Sequence, residues 1–206
     1  MARMACLLTA GRLFLFVGLV WAEKVPFVGC PMDGQAGPAA APAGEPVEVA
    51  IGPRAAGALA YYRSAGIGLL APRGWHCLEV YGSSGALLMV RPALIDGIKG
   101  LDVEGPAVIS RYAGGQGSGR YEVVQVIARV FPAFRSYVER VREMFDYPDN
   151  QFPAGPFAAD TVQYLSQRAL RYRTAGGVAV VGSGNTGRGG EVGLGKSALT
   201  AQREYL

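Results

Sequence analysis

Residues 66–92, GIGLLAPRGWHCLEVYGSSGALLMVRP, restrict the fold more than any other part of the chain. Residues 67–70 are a short apolar run that stops at Ala71 and Pro72, because a proline nitrogen cannot donate to a strand ladder. Arg73 and Gly74 make a corner. Residue type then alternates from His76 to Tyr81. This sets His76, Leu78 and Val80 on one face and Cys77, Glu79 and Tyr81 on the other. Gly82, Ser83, Ser84 and Gly85 are turn residues between two β-prone runs. Residues 86–90 are apolar throughout, which suits a strand buried on both faces. The stretch therefore predicts a strand, a corner and a hairpin, with three antiparallel strands as the simplest outcome.

The 206 residues, half of them apolar, are enough for one ordinary core and argue for one domain. Residues 1–22 have the layout of a signal peptide. Arg3 and Arg12 supply its positive end, LFLFVGLV its apolar centre, and Val20 and Ala22 its small cleavage residues. The expected address is the periplasm or the extracellular space. An uncleaved anchor fits less well, because the apolar run falls short of the ~20 residues that span a bilayer. A lipoprotein cut before Cys30 also fits less well, since Glu23 and Lys24 separate that cysteine from the apolar run.

Loss of Arg3 and Arg12 with the leader takes the net charge from +4 to about +2, and no basic block remains to recommend nucleic acid as a partner. Cys6 leaves too. Cys30 and Cys77 then remain in a compartment that permits disulfides, and they are expected to pair. The bond would close a long loop, worth ~4 kcal/mol on the chain-entropy model.

Residues 23–46 are rich in Gly, Ala and Pro and read as an N-terminal arm. Residues 47–51 suit a short strand. Residues 53–64 read as a helix with proline at its first position and Leu59 and Tyr62 facing inward. Residues 107–112 suit another strand, ended by a glycine-rich turn. The strongest helical signal spans residues 120–145. There Val124, Ile127, Phe131, Phe134, Val138, Val141 and Phe145 recur at alternating spacings of 3 and 4. The opposite side carries Glu122, Gln125, Arg129, Ser136, Arg140 and Glu143. Pro132 is expected to kink this helix or split it. Residues 146–156 form a loop, and residues 161–165 and 169–173 a second hairpin. The single α+β domain is placed at residues 47–175. Residues 178–181 suit one more strand inside a glycine-dense tail, 176–206, that is expected to be mobile.

Two tail segments match nucleotide-binding patterns formally. GSGNTG at 182–187, with Gly182, Gly184 and Gly187, fits GxGxxG, and GEVGLGKS at 190–197, ending in Lys196 and Ser197, fits the P-loop. Each pattern works by presenting backbone N–H groups at the start of a packed helix within a βαβ unit. Too few residues follow either match to supply that helix and strand, so no nucleotide partner and no cofactor is expected. A metal site has little support: there is one histidine, and Asp146, Asp149 and Asn150 lack the rest of a calcium loop.

His76 is the sole histidine, so histidine chemistry would have to use it. As a general base it would act beside Ser83, Ser84 or Glu79, or would activate Cys77. GSSGA is not the GxSxG elbow of hydrolases, because Ala86 stands where the second glycine belongs. Arg73, Trp75 and Tyr81 cluster near the hairpin, and aromatic and arginine side chains together can form a recognition surface.

Residues 28–35 (VGCPMDGQ), 71–85 (APRGWHCLEVYGSSG) and the helical segment 121–131 together resemble a group of exported bacterial proteins of uncharacterised function. The resemblance runs over residues 25–175 and stops before the glycine-rich end. It implies no activity and no catalytic residue. It does imply that Cys30 and Cys77 are a matched pair. The expectation is an α+β protein: an antiparallel sheet packed against a long or proline-kinked helical segment, with a disulfide-tethered N-terminal arm. Its expected role is non-enzymatic binding of an unknown protein or small ligand, with a His76 hydrolase as the alternative.

Overall fold

The computed structural model describes residues 22–97, 105–114, 118–174 and 189–195. Residues 1–21 of the expected signal peptide, the strand expected at 178–181 and the GxGxxG match at 182–187 lie outside the described residues. The fold is α+β, with more strand than helix.

The first part of the chain builds two facing sheets and a ribbon. Its strands are β1 (Glu23–Val25), β2 (Phe27–Gly29), β3 (Met32–Gly34), β4 (Val47–Val49), β5 (Leu59–Arg63), β6 (Gly68–Pro72), β7 (His76–Gly82), β8 (Gly85–Arg91) and β9 (Val108–Ala113). One sheet runs β3-β7-β8-β9, the other β2-β5-β6, and β1 pairs with β4. The expected three-strand unit is therefore divided: β6 pairs with β5, and β7 with β8. Pro72 ends β6 and Gly74 turns at φ +77°, and this corner sends the chain from one sheet to the other.

The β7–β8 hairpin forms as the sequence implied, with Gly82 opposite Gly85 and Ser83 and Ser84 as the loop. Gly85 has φ +137°, and a Cβ there would strike the carbonyl oxygen of Tyr112. Only glycine fits.

The helix expected over 53–64 is shorter. Helix α1 (Pro53–Ala58) stops and the chain turns directly into β5. β-Prone Tyr61 and Tyr62 find ladder partners in both β2 and β6 there, so tertiary pairing overrides the helical period. Tyr62 is fully buried, and its hydroxyl donates to the Pro72 carbonyl at 2.7 Å.

The N-terminal arm is built into the fold. β2 pairs in parallel with β5, and β3 in parallel with β7. The chain crosses between the two sheets at Cys30 and Pro31. The Cys30 N–H donates to Arg63 in one sheet, and the Pro31 carbonyl accepts from Glu79 in the other. The Cys30–Cys77 disulfide closes this crossover, with Cα atoms 5.4 Å apart. Around it, Val28, Ala60, Tyr62, Leu69 and Ala71 face Leu88, Val90 and Val108, making an inter-sheet core.

The second part has its own core. The stripe at 120–145 is not one long helix. It forms α2 (Gly119–Val130), a tight 3-10 turn (Pro132–Phe134) and α3 (Arg135–Met144). Pro132 has no N–H for the ladder, and the break falls at Phe131, beside it. Val124, Ile127, Phe131, Val138 and Val141 are buried as the spacing implied, Phe134 partly, and Phe145 is 37% exposed. The antiparallel sheet they cover is β10 (Asp160–Ser166), β11 (Ala169–Thr174) and β12 (Gly189–Gly193), through Leu170, Tyr172 and Phe152. Strand β12 falls inside the segment read as a mobile tail. It takes up the first residues of the P-loop match, from Gly190 to Gly193, as extended backbone paired with β11. The two parts touch where Arg111 of β9 pairs with Glu122 of α2, and where the Ser83 hydroxyl meets that of Ser118 at 3.3 Å.

Candidate functional site

The residues singled out around the hairpin lie at opposite ends of β7. Arg73 spans back to α1. Its Nε donates to the Leu59 carbonyl at 2.9 Å and Nη2 to the Ala56 carbonyl at 2.7 Å, so the guanidinium satisfies helix-end acceptors. Trp75 is half-buried on the inter-sheet core, and its N–H donates to the Tyr62 hydroxyl at 3.1 Å. Tyr81 lies about 20 Å further along, at ~3.3 Å per strand residue. Its ring rests against Gly34, and its hydroxyl donates to the Gly37 carbonyl at 2.8 Å. The fold places Arg73 and Trp75 at one end of β7 and Tyr81 at the other.

His76 is exposed at the start of β7, opposite Arg91. None of the partners named for it meets it. Cys77 is bonded to Cys30, and a disulfide sulfur is not a thiolate. Ser83 and Ser84 sit at the far end of the strand, where Ser83 contacts Gln35 and Ser118. Glu79 projects from the opposite face of β7.

Glu79 is a residue whose importance alternation alone does not reveal. It shares a face with Cys77 and Leu88, so it points between the sheets and is only 4% exposed. Among the described residues no donor reaches its Oε2. Burial raises its pKa above the ordinary carboxylate value. The available signal was its shared face with a disulfide cysteine.

The other core holds a paired carboxyl. Asp160 receives Arg129 Nε at 2.8 Å and Nη2 at 2.7 Å, the Thr174 hydroxyl at 3.0 Å and the Phe157 N–H at 3.1 Å. The Arg129 guanidinium also stacks over the Phe157 ring at 4.3 Å. Hydrogen bonding from Arg129, aided by Thr174 and Phe157, holds the Asp160 pKa below its ordinary value against the cost of burial. Helical periodicity puts Arg129 on the polar side, whereas the structure buries it. Its partner is 31 residues away, and no local pattern links them.

A further surface is the outer edge of β10. This edge carries no strand partner among the described residues. Tyr164 and Leu165 on it are 50% and 49% exposed. Beside it runs a groove of about 270 Å³, lined by Phe131, Pro132, Ala133, Tyr164, Ser166 and Gln167. Tyr164 is held there by its hydroxyl, which donates to the Val130 carbonyl at 2.9 Å. The outer face of the same sheet forms a shallow depression with Thr161, Gln163, Arg171, Arg173 and Glu191. No group of three metal-ligating side chains occurs among the described residues, and none of their helices is long and apolar enough to cross a membrane.

Fold and surface together define a disulfide-stapled α+β protein whose β10 edge has no strand partner among the described residues. No protein-family model, curated protein or solved structure matches the chain.

Proposed function

We propose that this protein is an exported interaction domain that binds an extended polypeptide by adding it as a strand to β10. One observation carries the reading: the edge of β10, unpaired among the described residues, lies beside an apolar groove and presents half-exposed Tyr164 and Leu165. An open edge offers backbone N–H and C=O groups for main-chain pairing, and flanking pockets select side chains. The Cys30–Cys77 bond fits an oxidising compartment, and the leader at residues 1–22 points to the periplasm or the outside of the cell. Arg73, Trp75 and Tyr81 are left as supports of the first core.

Peptides selected from a random display library on the folded protein would test the reading. Bound peptides should protect the β10 amides from hydrogen exchange and lose affinity for Leu165→Lys. Peptides that bind equally well to Leu165→Lys and protect the β7 corner near Trp75 instead would overturn it.

A further inference from the structure

We propose that the strand accepted by β10 is β10 of a second copy of this chain, paired antiparallel about a two-fold axis through Gln163. The inference rests on the strand-addition reading above. It starts from what the edge lacks. Sheet edges are commonly protected by Lys, Pro or short length. β10, DTVQYLS, is seven residues long and contains no lysine, arginine, glutamate or proline. Its single charge, Asp160, is already engaged by Arg129, so it does not oppose a second copy. Other edges of the molecule differ. β6 ends at Pro72, β9 carries Arg111 in its ion pair with Glu122, and β12 is mostly glycine.

Self-pairing suits this sequence. Side chains opposite one another in an antiparallel pair share a face, so a two-fold axis normal to the sheet must pass through a residue. Gln163 is the midpoint of β10. The axis there sets Gln163 against its own copy and Val162 against Tyr164 of the second copy. Pairing an aromatic with a β-branched residue across strands is favourable. The same register covers the exposed part of Tyr164 and brings Val162 of the second copy to the mouth of the groove by Pro132. The irregularity between Tyr164 and Ser166 leaves residues 160–164 in regular register for the contact. Charge does not oppose it. Arg171 and Arg173 lie on β11, so Arg171 faces its copy across three strand spacings, about 14 Å, and Arg173 lies further still from its own. That exceeds the ~8 Å screening length at physiological ionic strength.

Sedimentation equilibrium over a wide concentration range, with the full processed protein, provides the test. The wild type should show a reversible monomer–dimer equilibrium. Gln163→Glu should weaken it at least tenfold, because two carboxylates meet on the axis. Within one chain that carboxylate stands opposite Arg171, so the monomer keeps its fold. Gln163→Cys should give a covalent dimer under mild oxidation, and Arg173→Cys, one strand removed from the axis, should not. A wild type that stays monomeric at every concentration would overturn the inference, as would a dimer with unchanged affinity in Gln163→Glu and no Gln163→Cys cross-link. A monomer that still binds display peptides at β10 would lose the second copy and keep strand addition. A dimer indifferent to Gln163→Glu whose β10 amides exchange freely would sink both.

Discussion

The inter-sheet core around Cys30 and Cys77 and the helix-covered core around Arg129 each enclose one carboxyl group. In the first, Glu79 has an oxygen that no donor among the described residues reaches, and the surrounding structure is held by a covalent bond. In the second, Asp160 has four donated hydrogen bonds, and the charged pair itself ties α2 to β10. Interior charge is costly unless paired. The stapled core keeps its carboxyl by favouring the neutral acid, and the helical core keeps its carboxyl ionised. The covalent tether makes the first arrangement tolerable, because it does not depend on protonation.

The contrast can be broken at several points. The largest loss is expected from Arg129→Ala, which strands a buried carboxylate. Urea unfolding should show a drop of about 3–5 kcal/mol, and Arg129→Met combined with Asp160→Leu should recover most of it. Next comes Cys30→Ser with Cys77→Ser, expected to cost about 2–4 kcal/mol. Amide exchange in that variant should rise in β2, β3 and β7 before it rises in α2 and β11. Equal acceleration everywhere would mean that the two cores unfold as one.

Opposite pH responses should follow. The folded pKa of Glu79 is raised, so its contribution is fully present below the unfolded value and is lost as pH rises through the folded value. The folded pKa of Asp160 is lowered, so its contribution is present above the unfolded value and is lost as pH falls through the folded one. Glu79→Gln should therefore gain about 1 kcal/mol over the wild type at pH 8, with the gap closing toward pH 4. A constant gap across that range would show that Glu79 does not titrate in the fold. The smallest effect belongs to Arg171→Ala. Its pair with Glu191 is more than half exposed on both sides, so the thermal midpoint should move by no more than the equivalent of ~0.5 kcal/mol.

Local chemistry made part of this legible in the sequence. The β7–β8 and β10–β11 hairpins, the break at Pro132, the buried stripe from Val124 to Val141 and the Cys30–Cys77 bond all follow from turn residues, proline geometry, periodicity and cysteine count. What stayed hidden depends on distant partners. Leu59 to Arg63 carry a helical period, and only β2 and β6 make them a strand. The parallel pairings of β2 and β3 leave no mark on residues 27–34. Arg129 resembles a solvated helix residue until Asp160 is beside it. At the candidate site, turn and strand signals located β10 but could not show that one of its edges is open, since that depends on which strands fail to arrive.

The crossover at Cys30 and Pro31 also has a consequence for timing. β2 and β3 pair with strands that begin about 30 to 45 residues later in the chain, and both pairings are parallel. Long-range pairings of this kind form late. As the chain emerges N-terminus first, β1 can pair once β4 is made and β2 once β5 is made, but β3 has no partner until β7 follows. Cys30 must wait as a thiol throughout that interval, and β7 delivers both the strand that orders it and the cysteine that captures it. The staple can therefore close only once β3, the N-terminal strand whose partner is made last, has β7 beside it.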